Sequence, residues 1–257
     1  ATRTTGASGQ SPSATGERAA RAVEIEVLPD PAAVARRAAE VIAADARAAV
    51  ASRGRFVLAV SGGRTPWLML RALAEQDVPW KGVHVVQVDE RIAPPGHADR
   101  NLTHLYASLV EHAPAPPAQV HAMPVELPDP DEAAARYVAT LREIAGNPPV
   151  LDLVHLGLGA DGHTASLVPD DPVLGVESAD VAVAGPYQGW RRLTLTFPII
   201  DRARRILWVV TGGEKAALLA RLRDGDRSIP AGRVRRAGAL VLADRAAAAD
   251  RRARAPT

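Results

Sequence analysis

The stretch Leu151-Asp152-Leu153-Val154-His155-Leu156-Gly157-Leu158-Gly159-Ala160-Asp161-Gly162-His163-Thr164-Ala165-Ser166-Leu167 decides how this chain is read. Leu151–Leu156 reads as a buried strand, a short apolar run closed by glycine. It leads into a glycine-rich turn that presents an aspartate and a histidine. The same pattern recurs outward on both sides. Val23–Leu28, Arg55–Val60 and Val83–Val88 read as strands before it, and Arg192–Phe197, Arg205–Val210 and Ala239–Leu242 as strands after it. Helices alternate with them. Asp30-Pro31 supplies an N-cap followed by proline at the first helical position, opening an Ala/Arg helix to Ser52. Thr65-Pro66 repeats the signal and opens a helix through Gln76. Further helices are read near Asn101–Glu111, over Asp129–Ala145 and from Glu214 to Arg223. This alternation predicts an α/β, Rossmann-like fold, a mostly parallel sheet with helices on both faces. Right-handed crossovers place the strand C-termini on one edge, where such folds bind ligands.

At 257 residues the chain fits a single domain. Residues 1–20, rich in Ser, Thr, Gly and Ala, read as a disordered tail, residues 21–250 as the folded domain and residues 251–257 as a C-terminal tail. Pro114–Pro117 reads as a local linker. Hydrophobic residues make up 47% of the chain, enough for a sizeable core. The net charge is only +2 although the isoelectric point is about 9.4, because lysine occurs only at Lys81 and Lys215 and the remaining bases are arginines. Without a clustered basic face, nucleic acid is not an expected partner. The absence of cysteine excludes disulfides, thiolate zinc sites and cysteine nucleophiles. No apolar run reaches the roughly 20 residues of a membrane span, and the N-terminus lacks the apolar core of a signal peptide. The expectation is a soluble, cytoplasmic protein without membrane contact, a monomer or weak homo-oligomer.

Four groups of residues carry possible chemistry. In Ser61-Gly62-Gly63-Arg64-Thr65-Pro66 a strand runs through two glycines into a helix start. Its N–H groups, with the Ser61 and Thr65 hydroxyls, can cradle a phosphate, although an ordinary tight turn has the same look. The motif is neither a P-loop nor a dinucleotide fingerprint, so neither ATP nor NAD is expected. Asp89-Glu90-Arg91 lies at a strand end. Neighbours on extended chain point to opposite sides, so the two acids do not form a pair, and Glu90 reads as a capping or loop ion pair. Asn101 or Asp99 reads as the next N-cap. His163 alone among seven histidines sits between glycines and small polar residues at a strand end, where it can take and return a proton. His84 and His155 read as core residues, and His97, His104, His112 and His121 as loop or helix-surface residues. No pair has metal-ligand spacing, so no metal is expected. The fourth group is basic, Arg191-Arg192 at a strand start and Lys215 after Gly212-Gly213-Glu214 at a helix start.

In this order these motifs resemble the 6-phosphogluconolactonase family, which shares its fold with the glucosamine-6-phosphate deaminases. The resemblance spans Val23 to Ala247. Its marks are Ser61-Gly62-Gly63 with Thr65-Pro66, Asp89-Glu90-Arg91, Asp161-Gly162-His163-Thr164-Ala165-Ser166-Leu167, Arg192-Leu193-Thr194-Leu195-Thr196 and Gly213-Glu214-Lys215-Ala216. It implies cofactor-free hydrolysis of a sugar-phosphate lactone, 6-phosphogluconolactone, in the pentose phosphate pathway. On that reading His163 activates water and Asp161 orients it. Ser61, Gly62, Gly63 and Thr65 hold the phosphate with Arg91, Arg192 and Lys215, and Asp89 binds a sugar hydroxyl. The deaminases carry a glutamate five residues past the histidine. Here that position is Val168, which cannot move a proton. Many family members have Ser-Asn where this chain has Arg100-Asn101. A non-catalytic sugar-phosphate sensor is the other alternative, but residues 1–20 are too short and polar for the DNA-binding module such sensors carry.

Overall fold

The computed structural model describes residues 23–114 and 117–249. The readings of residues 1–20 and 251–257 as tails, and of the middle of the Pro114–Pro117 linker, lie outside the described residues. In chain order the first half comprises β1 (Glu24–Leu28), α1 (Pro31–Arg53), β2 (Phe56–Val60), α2 (Arg64–Ala74), β3 (Val83–Gln87), β4 (Asp89–Arg91), α3 (Asn101–Leu105), β5 (Val120–His121) and α4 (Pro130–Ala145). The second half comprises β6 (Leu153–Leu156), β7 (Val181–Tyr187), β8 (Trp190–Leu195), α5 (Phe197–Arg202), β9 (Arg205–Val210), α6 (Ala216–Asp224), α7 (Pro230–Arg233), β10 (Ala239–Asp244) and α8 (Arg245–Ala248).

Seven strands form one sheet in the order β1-β10-β9-β6-β2-β3-β5, and every neighbouring pair in it is parallel. Both faces are covered, which is why its strands are continuous apolar runs. Along β2 the side chains alternate: Val57 and Ala59 enter a core with Tyr137 and Leu141 of α4, while Phe56, Leu58 and Val60 enter a second core with Ile42 of α1 and Met69 of α2.

Local chemistry sets the ends of α1. The Asp30 carboxylate accepts from the Ala33 N–H at 2.8 Å, Pro31 takes the first helical position, and Gly54 closes the helix in the left-handed conformation. At α2 the expected Thr65 cap does not form. The helix begins two residues earlier, after Gly63, with no side-chain cap, and the Thr65 hydroxyl meets that of Thr211 at 2.7 Å. Asn101 and Asp99 are not the cap of α3 either. Arg100 holds that position, and Asn101 is the first helical residue.

The main departure from expectation is a second sheet, β4-β8-β7, which is antiparallel. The strand read as Val83–Val88 leaves the parallel sheet at its last residue. The Val88 N–H still donates to Val60 O of β2 at 3.0 Å, but its carbonyl accepts from Leu195 of β8 at 2.8 Å. Asp89-Glu90-Arg91 therefore continues as strand rather than loop, and the strand expected over Arg192–Phe197 spans Trp190–Leu195 beside it.

Candidate active site

Strand order reverses between β2 and β6, since the chain builds β2, β3, β5 to one side and β6, β9, β10 to the other. Ligands in doubly wound folds bind at the C-terminal ends of strands at such a reversal. A cleft opens there. The β2 turn gives it Ser61, Gly62 and Gly63, the β6 turn gives Gly157, Gly159 and His163, and the small sheet gives Asp89, Arg91 and Arg192.

The His163 ring packs flat against its own turn. A Cβ at Gly159 would lie 2.0 Å from His163 Nδ1, so only glycine leaves the ring room. Asp161 organises the turn. Its Oδ1 accepts the His163 backbone N–H at 3.0 Å and meets His163 Nδ1 at 2.6 Å. An ionised carboxylate only accepts, so Nδ1 carries the proton and Nε2 is left as the basic nitrogen. Burial pushes the Asp161 carboxyl up, but the His163 N–H and imidazole outweigh it and hold it below the usual carboxylate range. A residue not expected from sequence completes the group. The Tyr187 hydroxyl donates to Asp161 Oδ2 at 3.1 Å.

The small sheet aims the charges. Asp89 and Arg91 are two apart on β4 and share a face, while Glu90 points the other way. Arg91 stands opposite Arg192 across the antiparallel pair. Like charges directly opposite are destabilising unless something answers them. Asp89 answers in part, with its Oδ2 3.8 Å from Arg192 Nη1. Arg192 is 3% exposed; burial pulls its guanidinium below the ordinary arginine value, Asp89 counters, and Arg91 adds to the lowering. The Nε atoms of both Arg91 and Arg192 are buried without a hydrogen-bond partner. Two adjacent arginines on one cleft wall concentrate positive charge there. Arg91 is further fixed by donation to the Asp99 carbonyl.

Asp89 is held from two sides. Ser166 Oγ donates to its Oδ2 at 2.6 Å, and Asn101 Nδ2 donates to its carbonyl and to Oδ1 at 3.0 and 3.3 Å. Ser166 is fully buried and committed to this bond. Glu90, also fully buried, caps α3 from a distance: Oε1 accepts the Asn101 N–H and Oε2 the Leu102 N–H, each at 2.8 Å. Arg100 closes the arrangement, 1% exposed, with Nε 3.3 Å from Glu90 Oε2. Glu90 is thus a capping and ion-pair residue, as its place in the sequence implied.

Ser61 lines the cleft, but its hydroxyl donates to His155 O at 3.0 Å and its N–H to His155 Nδ1 at 3.2 Å. His155 is a core residue whose burial drops its imidazole to about 3, although its Nε2 has no partner. His84 is half-buried rather than core, and its Nδ1 meets His121 Nε2 at 3.0 Å; His121 lies on β5, not on a loop or helix surface. Thr65 and Lys215 do not line the cleft. Lys215 ends the turn Gly213–Lys215 before α6, and that turn approaches the β2 turn through the Thr65–Thr211 contact. Among the described residues no three potential metal ligands cluster, and no helix is long and apolar enough to cross a membrane.

A family model described as glucosamine-6-phosphate isomerases/6-phosphogluconolactonase matches residues 29–242. A 6-phosphogluconolactonase from Synechocystis is 37% identical over 205 residues, 78% of this chain and 85% of that one. One from Mycobacterium tuberculosis is 37% identical over 240 residues, 88% of this chain and 97% of that one. The crystal structure of 6-phosphogluconolactonase from Thermotoga maritima superimposes with a TM-score of 0.76 at 28% identity, covering 86% of this chain and 98% of that chain.

Proposed function

The chain belongs to the glucosamine-6-phosphate isomerase/6-phosphogluconolactonase family, and from that premise we propose how its cleft works. It is a lactonase of carbohydrate metabolism, hydrolysing 6-phosphogluconolactone to 6-phosphogluconate in the pentose phosphate pathway. His163 Nε2 takes a proton from water as the water oxygen adds to the lactone carbonyl. The resulting imidazolium is stabilised by Asp161, 2.6 Å from Nδ1. The C–O bond to the ring oxygen then breaks, and the proton passes from Nε2 to that oxygen as it leaves. Such proton transfer contributes typically about 10²–10⁴-fold. Backbone N–H groups of the glycine-rich turns steady the oxyanion between the two steps.

The phosphate sits at the Arg91–Arg192 pair and the Ser61–Gly63 turn, with Thr65 at the start of α2 and Lys215 before α6 outside the cleft lining. Asp89 takes a sugar hydroxyl. The anchor spends binding energy on setting the carbonyl over His163. Ser166 is not the nucleophile, since its hydroxyl is buried on Asp89. Val168 is not among the cleft residues and carries no proton, so glucosamine-6-phosphate should release no ammonia. Similarity to metabolic enzymes supports a soluble cytoplasmic enzyme.

The observation that carries this reading is the Nδ1–Asp161 bond, which leaves Nε2 basic on a ring that lines the same cleft as two arginines. His163→Ala tests it, with acid release from fresh lactone corrected for spontaneous opening. Turnover should fall by about 10²-fold or more. A folded variant with wild-type turnover removes the general-base role.

A further inference from the structure

We propose that Tyr187 is a positioning residue that holds the His163–Asp161 pair in register with the arginine anchor. The inference rests on the lactonase reading for its kinetic consequences, but its geometry is independent of that reading.

Tyr187 ends β7, at a bulge where register with β8 shifts between Ala184 and Tyr187. The hairpin then turns through Gln188 and Gly189, both at positive φ, so Tyr187 is the last strand residue before a sharp reversal. Three residues converge on it. Its hydroxyl donates to Asp161 Oδ2 at 3.1 Å and lies 3.5 Å from His163 Nδ1. Its ring meets the His163 ring edge-on, with centroids 5.2 Å apart. The Arg192 guanidinium lies over the same ring, 5.1 Å from the centroid, and Arg192 Nη2 donates to the Tyr187 carbonyl at 3.1 Å. One side chain thus touches both halves of the site.

The other side of the same turn is pinned as well. Trp190 Nε1 donates to Asp99 Oδ2 at 2.9 Å and its ring meets His97 edge-on, while the Asp99 carbonyl holds Arg91. The hairpin tip is therefore a strap between two parts of the site, tied to the histidine pair at Tyr187 and to the loop behind Arg91 at Trp190. Asp161 needs such a strap. Its carboxylate is on a surface turn, about a third exposed, and the Oδ1 contacts alone leave Oδ2 free to rotate away. A donor on Oδ2 fixes the carboxylate plane and with it the ring of His163. It also draws charge from the carboxylate, so removing it raises the proton affinity of the pair as a whole.

Two variants separate these roles. Tyr187→Phe keeps the ring under Arg192 and removes only the hydroxyl. It should lower kcat by roughly tenfold with KM within about twofold, and move the acid limb of kcat/KM to higher pH. Tyr187→Leu removes the ring too and should add a KM increase of roughly two- to fivefold, the lower end of a cation–π contact's range. An unchanged limb and kcat in Tyr187→Phe overturn the proposal. So does a loss of kcat with an unmoved limb, since generic loosening has that signature. The His163 imidazole proton resonance gives a readout free of turnover. Its titration in Tyr187→Phe should move to higher pH, and inorganic phosphate should perturb the resonance in the wild type more than in Tyr187→Leu. If the wild type does not open the lactone, the lactonase reading fails and this titration still decides the inference; an unmoved titration, or no response to phosphate in the wild type, overturns it.

Discussion

Gly159→Ala should cripple the enzyme without touching a functional side chain. A methyl at this position would lie 2.0 Å from His163 Nδ1 and 2.2 Å from Cε1, well inside contact distance. The backbone itself accepts alanine, because Gly159 is not among the residues at positive φ. Its N–H can also keep its bond to the His163 carbonyl at 2.8 Å. The strain must therefore be relieved by the ring, and any swing breaks the 2.6 Å contact with Asp161. A hydrogen bond to a charged group is worth about 1.5–3 kcal/mol. At about 1.4 kcal/mol per factor of ten, kcat/KM should fall roughly ten- to a hundredfold. The melting temperature should change little, since the site is a turn. The assay is base uptake at constant pH from freshly made 6-phosphogluconolactone, against the spontaneous rate, with the double variant Gly159→Ala/His163→Ala as the control. If the methyl acts through His163, the double variant is no slower than His163→Ala alone. Wild-type turnover by a folded Gly159→Ala refutes the argument, and so does an additive double variant.

The anchor and the buried histidines give two further tests. Arg91→Gln, Arg192→Gln and Lys215→Ala should each raise KM for the phosphorylated lactone far more than for the unphosphorylated one, by roughly tenfold or more for the arginines; equal losses on both substrates count against a phosphate contact at that residue. His155 is held down to about 3 by burial, against about 6.5 in an unfolded chain. A base whose folded value is depressed contributes stability above its unfolded value and loses it as pH falls toward the folded one. His84 and His121, also lowered by burial, act in the same direction. Melting temperature should accordingly decline as pH drops below about 6.5, and His155→Leu should flatten that slope. A flat profile between neutral and mildly acidic pH would show that these imidazoles are not what acid attacks.

Much of the parallel sheet was legible because burial on both faces leaves short, near-continuous apolar runs bounded by turn residues. β9 was read as Arg205–Val210 and folds over those residues. The antiparallel sheet was not. β4 is three charged residues, and what makes it a strand is its partner over Arg192–Thr194, about a hundred positions away. β7 reads Val181-Ala-Val-Ala-Gly-Pro-Tyr187, where the Gly-Pro pair looks like a turn and the alternation is too weak to outvote it. β5 has two residues, below any periodicity. The Thr65 cap failed for a related reason: a local rule predicted a bond to the helix, and a tertiary partner, Thr211, took the hydroxyl instead.

The site divides along the same line. Asp161 and His163 are two residues apart, so their pairing could be read directly. Ser166 reaches Asp89 across 77 positions and Tyr187 reaches Asp161 across 26, and neither contact leaves a spacing to notice. Yet long-range contacts do leave one local mark. A Cβ at Gly62 would lie 2.0 Å from Asn101 Oδ1, as one at Gly159 would collide with His163. Both glycines read as turn residues, but neither has a left-handed backbone that would require glycine. What requires it is a side chain pressed onto the main chain, in one case the distant asparagine that steadies Asp89 and in the other His163 of the same turn. At Gly62 and Gly159, unlike Gly157 where a Cβ would meet nothing within 4 Å, the glycine thus marks a side chain lying against it, and both side chains line the same cleft.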